Sequence, residues 1–305
     1  MFYWVIPYLV AYNLTEPTSH WKNGPVHTFE AEVNSSFLQH TEDEANYYAD
    51  VSMIFECRPV NTSFIKCRVQ NASMDNYAMM DNNDTRVGPG KSDYYEEFGG
   101  IDFHIEFDKT GIKNLTFPEP RGYFREMVIR AIFDSLNVGI DLTEKNFDHY
   151  KALDKSVYGD CPTSFTISKI AKRVEGMELS VKRDAAVRRL NIVPFPDEFS
   201  DDQTILIEKD RKTRMCLNKS SYIFGREEPP APGRKSGLLA EFDTIRSKTE
   251  IYLGKNRFNS HSEQSGSYKI RFKSENSKNL NNKTMMGKRN EKIRLTLLSI
   301  RPDEA

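Results

Sequence analysis

The chain has 305 residues, 38% hydrophobic and 29% charged, with a formal net charge of -1. Those values exclude a disordered polymer and leave room for one large buried core or two smaller ones. The charge is uneven: residues 1–119 carry 18 acids against 8 bases, and residues 246–301 carry 14 bases against 4 acids, so the two ends either attract each other or meet different partners.

The chain begins with "MFYWVIPYLVAY", an apolar run too short to span a bilayer and suited to the core of a secretory signal, although no Lys or Arg precedes it and no small-x-small site follows. Residues 1–19 are therefore read as a signal or N-terminal segment. Acceptor triplets for N-glycosylation stand at Asn13, Asn34, Asn61, Asn71, Asn83, Asn114, Asn218 and Asn282. Chance would supply about three, so their number points to export.

From there the pattern has period two. "VHTFEAEVNSSF", "YYADVSMIFECRP", "SFIKCRVQ" and "IDFHIEFDKTGIKNLTF" each alternate apolar and polar residues, the mark of antiparallel strands with one wet face. "DKTG" at Asp108–Gly111 predicts a hairpin. "MDNYAMMDNNDTRVGPGKSD" is rich in Asn, Asp, Gly and Pro and predicts a long surface loop; it lacks the glycine and distal Glu of a calcium-binding loop. Four cysteines suit two disulfides in an oxidising compartment. They allow three pairings. Cys57 and Cys67 flank a plausible hairpin and are paired, which leaves Cys161 with Cys216.

"GYFREMVIRAIFDSLNVGIDL", Gly122–Leu142, is the one long helical pattern. Pro118 and Pro120 end the preceding strand, and Asn137 and Gly139 favour the helix end. Glu126, Arg130 and Asp134 recur every fourth residue and form a single narrow polar stripe with two potential ion pairs; the rest, Phe124, Met127, Val128, Ala131, Ile132, Phe133 and Leu136, is apolar or small. A helix with so thin a stripe belongs inside something, and it is too short and too charged to cross a membrane. The matching container is an antiparallel sheet curled around it. Beyond it, "REEPPAPGRKSG" marks a Pro-rich linker or loop at 226–237, followed by a basic, strand-rich segment, 238–305.

The strand pair "IDFHIEFDKTGIKNL" followed directly by "FREMVIRAIFDSLNVGIDL" resembles the amino-terminal lipoprotein domain of the vitellogenins, large lipid transfer proteins. "HWKNGPVHTFEAEV", "VYGDCPTSFTI" and "KTRMCLNKSSYIFG" match further family segments in the same order, and the ordered series covers roughly residues 20–275. The resemblance implies a mainly β fold in which a barrel-like antiparallel sheet wraps one central helix, residues 20–225 forming that domain. It also implies a bridge between Cys161 and Cys216, a role in lipid transport and yolk storage, and secretion. A complete family member continues into a long helical arch and lipid-facing sheets, so the chain is expected to be a fragment or a short relative, with lipid held only if further domains exist.

Catalysis finds no support in the residues. His20, His27, His40, His104, His149 and His261 are scattered without metal-ligand spacing, no Gly-x-Ser-x-Gly elbow or phosphate loop occurs, and Glu96 and Glu97 would point to opposite faces of a strand. No catalytic residue, metal or cofactor is expected, nor a nucleic-acid partner or transmembrane segment. The basic segment "EKDRKTRMCLNK" clusters Lys209, Arg211, Lys212 and Arg214 beside Cys216. In the family the corresponding segment is implicated in recognition by an endocytic receptor with acidic repeats, and these four residues are the expected contacts. The competing class is a secreted module that recognises a receptor or pathogen and carries no lipid.

Overall fold

The computed structural model describes residues 25–39, 46–61, 64–80, 83–93, 98–108, 111–119, 123–139, 149–170, 204–217, 238–254, 257–272 and 284–302. The 1–19 segment, the 226–237 linker, Glu96, Glu97 and the acceptors Asn13, Asn218 and Asn282 lie outside them. The strands are β1 Pro25–Gln39, β2 Asn46–Asn61, β3 Phe64–Met80, β4 Asn83–Asp93, β5 Asp102–Asp108 and β6 Gly111–Thr116. Helix α1, Tyr123–Asp134, precedes β7 His149–Ser156, β8 Gly159–Ile170, β9 Thr204–Arg211, β10 Leu238–Gly254, β11 Arg257–Phe272 and β12 Thr284–Pro302.

All twelve strands form one sheet, ordered β6-β5-β3-β2-β1-β12-β11-β10-β9-β8-β7, with β4 paired to the far half of β3. The basic segment from residue 238 thus supplies β10, β11 and β12, which stand between β9 and β1. The alternation read in the sequence is realised as burial: in β5, Phe103, Ile105 and Phe107 are buried while Asp102, His104 and Glu106 are only partly so.

Of the predicted loop at 74–93, residues 74–80 and 83–93 are instead strand. Asn46–Tyr48 pair with Tyr77–Met79, and Ser73–Met80 pair with Asn83–Asp93. Asn and Asp disfavour strands by local hydrogen bonding, but here the ladder to β2 is already laid and extending it satisfies the backbone at once.

The sheet curls around α1, as contacts from along its whole path show. Phe133 meets the rings of Phe55 on β2 and Phe103 on β5 at 5.1 and 5.0 Å. Arg130 bonds the Leu115 carbonyl on β6 at 2.6 Å, Asp134 pairs with Arg211 on β9 at 3.0 Å, and Ser135 meets Ser262 on β11 at 3.3 Å. Two disulfides lie against this core. Cys57–Cys67 joins directly opposed residues of β2 and β3, and Cys161–Cys216 ties β8 to the turn after β9.

Candidate functional site

Every step along the sheet path is antiparallel, so with eleven strands in the path its two ends, β6 and β7, run in the same direction. Among the described residues these two edges are not paired to each other. The polar stripe of α1 stands between them. The Asn137 carboxamide accepts from the Ile112 N–H of β6 at 3.0 Å and donates to the Lys155 carbonyl of β7 at 2.6 Å. A carboxamide is chemically a peptide unit, so this side chain does for the two edges what one residue of an intervening strand would do. Arg130 serves β6 in the same way, and the Asp134 carboxylate accepts a hydrogen bond from the Val157 backbone beside β7.

This corrects the expected stripe pairings. Arg130 does approach Glu126, at 3.7 Å, but Asp134 turns to Arg211 and the β7 side. Two glycines make the close approach possible. Gly111 has φ +134° and a Cβ there would stand 2.1 Å from Asn137 Oδ1; Gly139 has φ +84° and a Cβ would stand 2.0 Å from Asp154 Oδ1. A cleft of about 310 Å³ remains over the seam, lined by Ile112, Leu115, Arg130, Asn137, Lys155 and Val157 among others.

Behind the seam lies a buried ion network. Lys209 Nζ is 2.8 Å from Asp154 Oδ2 and donates to the Asn137 carbonyl at 2.7 Å. Arg211 Nε is 2.6 Å from the same Asp154 oxygen, and its Nη1 donates to Ser247 and Thr249. Burial, then the neighbouring Arg211 charge, lowers the Lys209 ammonium to about 8. Lys209 and Arg211 are 1% and 2% exposed.

These two residues were expected to face a receptor, and they cannot: their charges point into the barrel, where two carboxylates compensate them. The signal that places them inside is the alternation in "TILIEKDR", which puts Lys209 and Arg211 on the same face as buried Ile207. The other two expected contacts, Lys212 and Arg214, are exposed.

They sit on a tightly held turn. Residues Thr213–Met215 form one 3-10 turn, the Lys212 N–H donates to the Pro162 carbonyl at 2.9 Å, and Thr213 Oγ1 donates to the Thr244 carbonyl at 2.6 Å. Leu217 exchanges backbone hydrogen bonds with Asp160, and Cys216 is bridged to Cys161. Of the glycosylation acceptors, Asn34, Asn71 and Asn114 are exposed on β1, β3 and β6, Asn34 donating to Asp50; the backbones of Asn61 and Asn83 lie in β2 and β4.

No family model matches the chain, and no curated protein matches its sequence. Its fold has a solved counterpart. A structure described as "Lipid-protein interactions in lipovitellin" superposes with a TM-score of 0.55 at 11% sequence identity, covering 93% of this chain and 26% of that one. The likeness is therefore one of fold, and the chain spans about a quarter of the length of that protein.

Proposed function

We propose that this chain is the amino-terminal, receptor-recognised barrel of a vitellogenin-like secreted lipoprotein that transports lipid and stores yolk nutrients. The observation that carries the reading is the lipovitellin-like fold over 93% of the chain, joined to the ordered motifs around α1. Secretion is supported by the two disulfides, which persist in oxidising compartments. It is also supported by the exposed acceptors Asn34, Asn71 and Asn114. No helix among the described residues is long and apolar enough to cross a membrane.

Within this reading the barrel is an organising and docking module. Its interior is filled by α1, Phe133 included, and by Phe55 and Phe103 of the sheet, so lipid is held by further domains of the lipoprotein. Receptor engagement falls to Lys212 and Arg214, whose geometry the Cys161–Cys216 bridge fixes. We assign the chain no catalytic role.

The filled interior also favours a second reading, a secreted recognition module that carries no lipid. Native mass spectrometry of the protein as isolated from its source, any further domains included, before and after solvent extraction separates the two. Stoichiometric phospholipid supports the carrier, and lipid-free protein that still binds cells supports the module. Reversing Lys212 and Arg214 to Glu should slow association with an acidic receptor about tenfold or more and make the residual binding insensitive to salt.

A further inference from the structure

The large apolar side chains exposed by 45% or more among the described residues are not evenly distributed. Leu153, Met215, Leu217 and Ile245, exposed by 48, 60, 61 and 45%, belong to one neighbourhood of the surface. The connections that bring them together are backbone pairings and one side-chain hydroxyl. Leu153 stands opposite Pro162 across β7 and β8; Pro162 accepts from Lys212; Leu217 is bridged to Asp160; and Thr213 reaches Thr244, next to Ile245. Lys151, Lys155, Lys212, Arg214 and Arg246 are exposed around them, against the acids Asp160, Asp210 and Asp243. The patch is therefore both aliphatic and cationic.

We infer that this patch is a docking site for an anionic lipid bilayer surface. The argument is one of shape and satisfaction. Aliphatic tips that enter the boundary between headgroups and acyl chains gain from leaving water, while lysine and arginine at the same level meet the phosphates. What usually forbids a loop from entering that boundary is its unpaired backbone. Here the N–H groups of Lys212, Met215, Cys216 and Leu217 are all bonded within the fold, to Pro162, Lys212, Thr213 and Asp160. The turn is also fixed before it binds, by the Cys161–Cys216 bridge and the Thr213 hydroxyl, so little order has to be gained on contact. The inference goes beyond the lipid-carrier reading and does not depend on it, because a protein with no lipid cargo could dock in the same way.

Co-sedimentation with phosphatidylcholine vesicles, with and without phosphatidylserine, tests it. Binding should be about tenfold tighter with phosphatidylserine and weaken with salt. The double variant Met215→Ser, Leu217→Ser should lose about tenfold in vesicle binding. It keeps Lys212 and Arg214, so it should retain charge-driven binding to an acidic receptor. Leu217→Trp gives an independent readout: its added fluorescence should be quenched by brominated acyl chains, and this decides the matter should the serine variant fail to fold. The inference is overturned if the protein ignores phosphatidylserine vesicles, if the serine variant binds them as tightly as the parent, or if tryptophan at position 217 escapes quenching. Capture of an acidic receptor without any vesicle binding would assign the patch to protein recognition instead. Protein isolated from its source with any further domains that is lipid-free yet binds vesicles would overturn the carrier reading and leave this one standing.

Discussion

His27 lies on β1 opposite Cys57, fully buried, and burial lowers its pKa from 6.5 to about 4, a hydrogen bond to the Cys57 backbone only partly offsetting it. As pH falls through 6.5 the unfolded chain takes up a proton that the folded chain refuses. Stability is thus fully present above 6.5 and is lost towards 4, by on the order of 3 kcal/mol. Denaturant titrations across that window should show the loss, and His27→Phe should flatten it; equal slopes in parent and variant would clear His27 of the effect. Asn137 permits a second test. Asn137→Ala leaves the Ile112 N–H and the Lys155 carbonyl without the side chain that bonds them, which should cost about 2–3 kcal/mol and speed hydrogen exchange at Ile112. The sequence made Asn137 legible as a helix-ending residue but not as a link between strands, because its partners are far away along the chain. The basic segment divides in the same way. Asp154→Ala should strand Lys209 as a buried charge and leave Arg211 with Asp134 alone, at a cost of about 3–5 kcal/mol, whereas Lys212→Ala should change stability by no more than about 0.5 kcal/mol.

α1 was the most legible element, since a thin polar stripe on an otherwise apolar helix leaves few places to put it. Its end agrees closely with the Asn and Gly signals, the helix stopping at Asp134 just before Asn137 and Gly139. Ile132 is fully buried beneath the curled sheet, and Ile132→Asp should abolish cooperative unfolding, as a charge without a partner costs several kcal/mol, about the stability of a domain. A soluble variant with the parent's melting temperature would put α1 on the surface. The strands were legible where burial imposes period two, as in β5. They were hidden at 74–80 and 83–93, where Asn, Asp and Gly speak for a loop and only the ladder to β2 and β3 dictates otherwise.

At the scale of the molecule, the basic stretch from residue 238 is not an appendage. β12 pairs with β1 from Pro25 to Gln39, and β10 pairs with β9. A protein ending at residue 225 should therefore expose two sheet edges along β1 and β9 and fail to fold cooperatively, which circular dichroism during thermal unfolding would register. A sharp, parent-like transition would make 20–225 an autonomous domain. The charge asymmetry of the sequence hinted at such an intramolecular match, but composition alone could not distinguish it from an external anionic partner.

The pairing of β1 with β12 also has a consequence for biosynthesis. As the polypeptide leaves the ribosome, β1, β2 and β3 can pair among themselves early, yet the second edge of β1 must wait until the last described strand has been made. Throughout that interval a fifteen-residue strand offers its backbone to any neighbour, including nascent copies of itself. Production of this protein should accordingly depend on holding that edge apart, by slow emergence or by a chaperone, more than on the stability of the finished barrel.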